Sequence, residues 1–286
     1  MSAARGLPLA FRADGSRLAL GSPSRDLALW DTSAPGRPIH VSALRRGGGI
    51  VAAAWNPAAV SLLATVSTDG SVATWRILDD RPPQLTATMG GPRDRPQHLD
   101  WLSGGKHLFT TTSLGRTTVW ESDGTARAFR GRTVEGLVVA VHGWGGATAL
   151  VSHVGHVELW DPATQFAKSR VLPGRVVASA HSGALLAVAF DDGRLELVDR
   201  ELERVAMMRL GAPAPVALAF SADGQALVVA AADGSLVALG PGNRLWWRRD
   251  GDGAPPTGIA IASGLLAVVG PDGNATIRHL ETGSPA

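Results

Sequence analysis

The chain has 286 residues, 45% of them apolar and 18% charged, with a formal net charge of +2 and no cysteine. That balance suffices for a core and is too mixed for a disordered or membrane-spanning chain, while the missing thiols exclude disulfides, thiolate metal sites and cysteine nucleophiles. Length leaves one large all-β domain or two ordinary domains open, so internal repetition has to decide.

The first residues, MSAARGLPLAFRADG, carry one early arginine, no sustained apolar run, and acid by Asp14. Neither a signal peptide nor a transmembrane helix is expected there, and the chain reads as cytoplasmic with no membrane partner. Two lysines stand against 25 arginines amid abundant Ala and Gly, the composition of a high-GC bacterial chain.

Along the chain one unit recurs: an apolar run, a turn, a second apolar run, a turn often ending in Asp-Gly, and a third run carrying Trp. The clear copies are LALWDT, VATWRI, TTVWES and VELWDP, and in three weaker ones Val198, Leu239 and His279 stand where Trp stood. The series Trp30, Trp75, Trp120, Trp160, Val198, Leu239, His279 advances by 45, 45, 40, 38, 41 and 40 residues. That step suits a four-stranded propeller blade. A second landmark, the last large residue of each first strand, is taken as Phe11, Trp55, Trp101, His142, Ala180, Phe220 and Ile261, and precedes the first series by 18 to 20 residues each time. The runs are short and punctuated by Gly or Pro, which predicts strands and argues against helices.

These residues resemble the WD-repeat β-propeller family over essentially the whole chain. Trp30, Trp75, Trp120 and Trp160 match its Trp, two of them with the following Asp, and Asp69, Asp192, Asp233 and Asp272 match the Asp-Gly turn between second and third strands. The Gly-His dipeptide that the family places ahead of the first strand is missing from every repeat, so its His-Ser/Thr-Asp-Trp hydrogen-bond network is incomplete; repeat 2, with Thr65 or Ser67, Asp69 and Trp75, comes closest. The resemblance implies an all-β, seven-bladed propeller of four-stranded antiparallel blades, one domain over 1–286 with repeats near 6–45, 49–90, 97–130, 135–173, 175–210, 214–249 and 256–286. After His279 only LETGSPA remains, so blade 7 is expected to lack its outer strand or to be closed weakly by Met1 to Ala4; a strand donated in trans is the alternative.

No nucleophile elbow, phosphate loop or dinucleotide fingerprint occurs, and no catalytic residue, metal or cofactor is expected. The Asp-Gly turns fit ordinary hairpin preference. His153 and His156 at HxxH spacing are read as structural, since strand and turn geometry points them apart. The asymmetric feature is arginine. The loops leading from each outer strand to the next inner strand share one face with the Asp-Gly turns, and hold Arg45, Arg46, Arg93, Arg95, Arg130, Arg132, Arg175, Arg209, Arg248 and Arg249 against Asp94, Glu135, Asp250 and Asp252. That makes this face +6, leaving 17 basic and 21 acidic groups, or −4, elsewhere. Solvation explains charged loops in general; the sharper reading is a face for an acidic or phosphorylated protein segment, because Arg presents a bidentate donor fork. Trp246 and Trp247 are adjacent on an outer strand and face opposite ways, so one is expected at the surface among arginines. Scarce lysine and the lack of interleaved aromatics disfavour nucleic acid.

The expectation is therefore a non-enzymatic interaction scaffold or sensory module of a larger bacterial assembly, with a propeller enzyme or small-ligand sensor using the central channel as the alternative. At least three convergent carboxylate, His or amide side chains at the channel would favour the alternative.

Overall fold

A computed structural model of the protein describes residues 8–21, 26–32, 38–41, 44, 49–78, 81–89, 96–102, 104–112, 115–121, 126–127, 135–211 and 213–286. Seven small antiparallel sheets follow one another, six of four strands and the last of three, each with its strands paired in chain order. This is a seven-bladed all-β propeller with one 3-10 turn, Pro241–Asn243, as its sole helical element among the described residues. No helix there is long and apolar enough to cross a membrane.

The first strand of each blade is innermost. Those strands, Leu9–Phe11, Ile50–Trp55, Pro96–Trp101, Val138–Trp144, Val176–His181, Pro215–Phe220 and Gly258–Ala262, each touch the next, and the seventh touches the first, so the ring closes around a central channel. The second strands are the most completely buried; Leu186–Phe190 and Leu227–Ala231 are buried at every position. Such unbroken apolar runs belong to strands covered on both faces.

Alternate side chains of each sheet enter two different apolar clusters, one shared with each neighbouring blade. Ala19, Leu27, Leu29, Trp55, Leu63 and Trp75 join blades 1 and 2, and Phe109, Val119, Val141, Leu150 and Trp160 join blades 3 and 4. Among the described residues, six of the seven seams hold a buried cluster of this kind. Between blades 7 and 1 lies instead a cleft of about 140 Å³, lined by Leu18, Leu20, Trp30, Ala275 and Ile277 among others.

The hydrogen-bond network carried by the Trp survives in part. Trp75 Nε1 donates to Thr65 Oγ1 at 2.9 Å and Trp120 Nε1 to Thr110 Oγ1 at 3.1 Å. Thr lies ten residues before Trp in both repeats, where repeats 1 and 4 have Leu20 and Leu150; accordingly the buried Nε1 of Trp30 and of Trp160 has no hydrogen-bond partner. Asp69 does not join the network, for its Oδ1 accepts the Ser71 amide and hydroxyl at 2.9 and 2.7 Å. Asp192, Asp233 and Asp272 likewise accept the amide two residues on, at 2.9 to 3.0 Å. The following glycines, Gly70, Gly193, Gly234 and Gly273, have φ between 80° and 88°, a region costly for residues with a Cβ.

Among the described residues, blade 7 has no full outer strand. Its third strand, Ala275–His279, meets the C-terminal residues through an isolated antiparallel bridge between Arg278 and Pro285, with Ala286 N donating to Ile277 O at 3.0 Å and His279 N to Ser284 O at 2.8 Å. Trp247, on the outer strand of blade 6, donates its indole N–H to Leu280 O at 2.7 Å and packs against Gly283. An indole from the neighbouring blade therefore clamps the turn that completes the last sheet. The proposed N-terminal closing strand, Met1 to Ala4, lies outside the described residues.

Replacing Trp247 by Ala removes that clamp and the half-buried ring. Stability should fall by about 2–3 kcal/mol, and the amides of residues 277–286 should lose hydrogen-exchange protection before those of blades 4 to 6. Uniform loss of protection across the ring would contradict the assignment.

Candidate functional site

Of the ten loop-face arginines, Arg45, Arg46, Arg93, Arg95, Arg130 and Arg132 lie outside the described residues, while Arg175, Arg209, Arg248 and Arg249 are exposed. Arg209 reaches the Asp-Gly turn of its own blade, with Nη2 3.5 Å from Asp192 Oδ2 and Nη1 donating to Asp192 O at 3.1 Å. Arg248 donates weakly to Gly211 O at 3.4 Å. Asp233 is held below the usual carboxylate range by Ser235, whose amide donates to its Oδ1 at 2.9 Å, with Arg248 a smaller contribution. Outer-strand ends and Asp-Gly turns thus share a face, where Arg209 is partly neutralised and Arg175, Arg248 and Arg249 extend toward solvent.

Trp246 and Trp247 are divided by a β-bulge, since Ala238 pairs with Trp247 and Leu239 with Leu245, leaving Trp246 as the inserted residue. Trp247 turns to blade 7, as described above. Trp246 remains 39% exposed beside exposed Leu245, its indole lying over Gly240. A bulge re-aims a side chain without ending the sheet. His153 and His156 both turn to one loop, where Nδ1 of each accepts a backbone N–H, from Leu137 at 2.9 Å and from Glu135 at 3.2 Å.

A third group was not foreseen in the sequence. Asp100, His142 and His181 come from the inner strands of blades 3, 4 and 5, and one candidate ligand atom from each lies within 4.8 Å of the others. Their positions are fixed by the way the strands meet. A Cβ on Gly143 would fall 1.7 Å from Trp101 O, so only glycine allows the strands of blades 3 and 4 to approach this closely. That approach lets Asp100 Oδ2 accept the Gly143 amide at 2.9 Å while Oδ1 accepts the Trp101 amide at 2.8 Å. His142 Nε2 and Ser179 Oγ form a 2.8 Å hydrogen bond between blades 4 and 5. The His142 and His181 rings lie 5.1 Å apart, tilted by 47°, and Nδ1 of His181 is buried with no hydrogen-bond partner.

Electrostatics follow from this enclosure. Burial pushes the Asp100 carboxyl up, with partial compensation from His181 and the Gly143 and Trp101 amides. Burial, and then the charges of His181 and His98, hold His142 well below the ordinary imidazole range. The residues keep some exposure, which moderates both effects.

The pairing register also corrects the inner-strand landmarks. The Trp-position residues of repeats 4, 5 and 7 pair through the second strand with Gly143, His181 and Ala262, each one residue after His142, Ala180 and Ile261. The legible signal was a polar residue near the end of three successive inner strands, at 42- and 39-residue spacing, where repeats 1, 2 and 6 carry only apolar residues.

The closed ring, the blade register and the partial Trp–Thr network define a WD-repeat-like propeller. No known family of sequences matches the chain and no curated protein matches it. A solved structure does: the chain is similar to the β-propeller domain of Cps50 (Swd1) from Myceliophteria thermophila, with TM-score 0.71 and 17% identity over 85% of this chain and 86% of that one. The likeness is one of fold.

Because His142 in the folded chain binds its proton well below pH 6.5, the unfolded chain takes up that proton first as pH falls. Stability contributed by neutral His142 is thus present above pH 6.5 and lost below it. Denaturant unfolding between pH 7.5 and 5 should show this loss in the wild type and a smaller one in His142→Gln; identical pH slopes would refute it.

Proposed function

We propose that this protein is a non-enzymatic interaction scaffold or sensory module of a larger bacterial assembly, cytoplasmic, that holds protein partners on the Arg-bearing loop face of the propeller. The observation that carries the reading is the exposed set Arg175, Arg248 and Arg249 on one rigid face, with Trp246 on the adjoining outer strand. Arginine forks suit a carboxylate- or phosphate-bearing segment, and an exposed indole on a fixed strand is the kind of side chain that dominates binding energy. Arg45, Arg46, Arg93, Arg95, Arg130 and Arg132 extend the same face in this reading.

A second reading, a small-ligand sensor or propeller enzyme using the central channel, is supported by the convergence of Asp100, His142 and His181 on the inner strands. Partner binding on the loop face and small-ligand sensing at the channel use different parts of the molecule and are compatible, whereas catalysis at the channel would replace the non-enzymatic reading.

For the first reading the test is fluorescence anisotropy with a labelled Glu-rich peptide and its phosphoserine counterpart. Reversing Arg175, Arg248 and Arg249 to Glu should weaken binding at least about tenfold, and Trp246→Ala should weaken it by about 2 kcal/mol. Equal affinity in the variants, or no binding of either peptide by the wild type, counts against the acidic-segment reading.

A further inference from the structure

We propose that Asp100, His142 and His181 form a binding site for a divalent transition-metal ion of the zinc type, on the inner-strand ring beside the central channel. The inference rests on the channel reading and deepens it by naming the ligand.

The donors are the starting point. Two imidazoles and one carboxylate make a nitrogen-rich set that suits zinc and its neighbours, whereas magnesium and calcium require six or more oxygens. The ligand atoms lie within 4.8 Å of one another. A tetrahedral ion with bonds of about 2.0–2.2 Å separates its ligands by about 3.3–3.5 Å, a contraction within reach of small side-chain rotations.

The supports around the donors are already in place. Asp100 is oriented by the amides of Gly143 and Trp101, and a carboxylate accepting one hydrogen bond at each oxygen still has lone pairs for an ion. His142 is tethered through Nε2 to Ser179 Oγ, an outer-shell oxygen contact that orients the ring. His181 supplies the independent sign of a ligand, for its buried Nδ1 meets no hydrogen-bond partner, and buried polar atoms in native proteins are seldom left so. The three residues stand on strands of adjacent blades whose spacing is set by packing, so the arrangement is held by the rigid part of the fold. Three protein ligands leave a coordination position for water or a small ligand.

His153 and His156 provide the internal control. Each accepts a backbone amide through Nδ1, and they belong to the blade surface.

Untagged protein is to be equilibrated with zinc, desalted and assayed for bound metal, with calorimetry for affinity. The wild type should retain about one zinc per chain, with magnesium unable to compete. Asp100→Asn and His181→Gln should each weaken binding more than about tenfold, Ser179→Ala should weaken it less, and His153→Ala with His156→Ala should leave it unchanged. Far-ultraviolet circular dichroism of each variant without metal identifies any that fails to fold; the Ser179 variant, which touches no backbone contact, keeps the comparison open. Sub-stoichiometric metal in the wild type, or binding lost only with the His153 and His156 pair, overturns the proposal. Imidazole proton resonances of His142 and His181 separate the two levels: if zinc leaves them unmoved while inorganic phosphate shifts them, the ion is wrong and the channel reading stands. If neither shifts them, both fall.

Discussion

A single blade cannot bury both of its faces, and that constraint organises this molecule. Each four-stranded sheet presents apolar residues on two sides, and each side is covered only by the next blade, as in the clusters joining blade 2 to blade 3 and blade 5 to blade 6. Burial of one large side chain contributes about 1.5–3 kcal/mol, against about 1 kcal/mol for a typical hydrogen bond. Repeats 1 and 4 can therefore keep Trp30 and Trp160 with Leu20 and Leu150 where the hydrogen-bonding Thr would stand. The indole area is retained even where its N–H partner is not.

The same constraint makes closure the delicate step. Among the described residues six seams are filled by buried clusters, and the seventh holds the cleft beside Trp30, lined by the buried Leu18 and Leu20. Blade 7 compensates at its rim, where the C-terminal residues bridge to Arg278 and Trp247 covers their turn. A sheet edge can be completed by very few residues when a neighbouring blade holds them in place. This is why LETGSPA, too short to read as a strand, still protects the edge of the last sheet.

The propeller was legible because its signal is periodic. Trp at forty-odd residue steps, Asp-Gly turns and short apolar runs are consequences of a local hairpin repeated, and each can be seen inside one repeat. The channel group was not legible, because no repeat contains more than one of its members; Asp100, His142 and His181 meet only after three blades have stacked. In the sequence His142 stands as a bulky landmark, and the one-residue offset in repeat 4 hides that Gly143 occupies the packing position while His142 faces its neighbours. The bulge separating Trp246 from Trp247 also escaped the sequence. Alternation correctly sends adjacent residues to opposite faces, but which indole would be claimed by blade 7 depended on the tail it clamps. For the loop face, only the structure shows Arg209 engaged with Asp192 and Arg248 beside Asp233 and Gly211.

Loops and inner strands offer different physics for binding. The loop face is exposed, where an isolated ion pair contributes little and selectivity must come from several arginines acting together with an aromatic anchor. On the inner ring a buried polar residue is expensive unless something satisfies it, and His181 Nδ1 is left without a protein partner there. Gly143 shows how far the chain goes to satisfy Asp100: it admits Trp101's carbonyl where any side chain would collide, and its amide then holds that carboxylate in place. A fold maintained only for its outer surface has no need of such an arrangement at its centre. Ala10 and Ala54 at the equivalent places of blades 1 and 2 show that the ring closes without polar residues there. The polar group of blades 3 to 5 is thus an addition to the repeat rather than a requirement of it, which is the physical ground for seeking a ligand at that place.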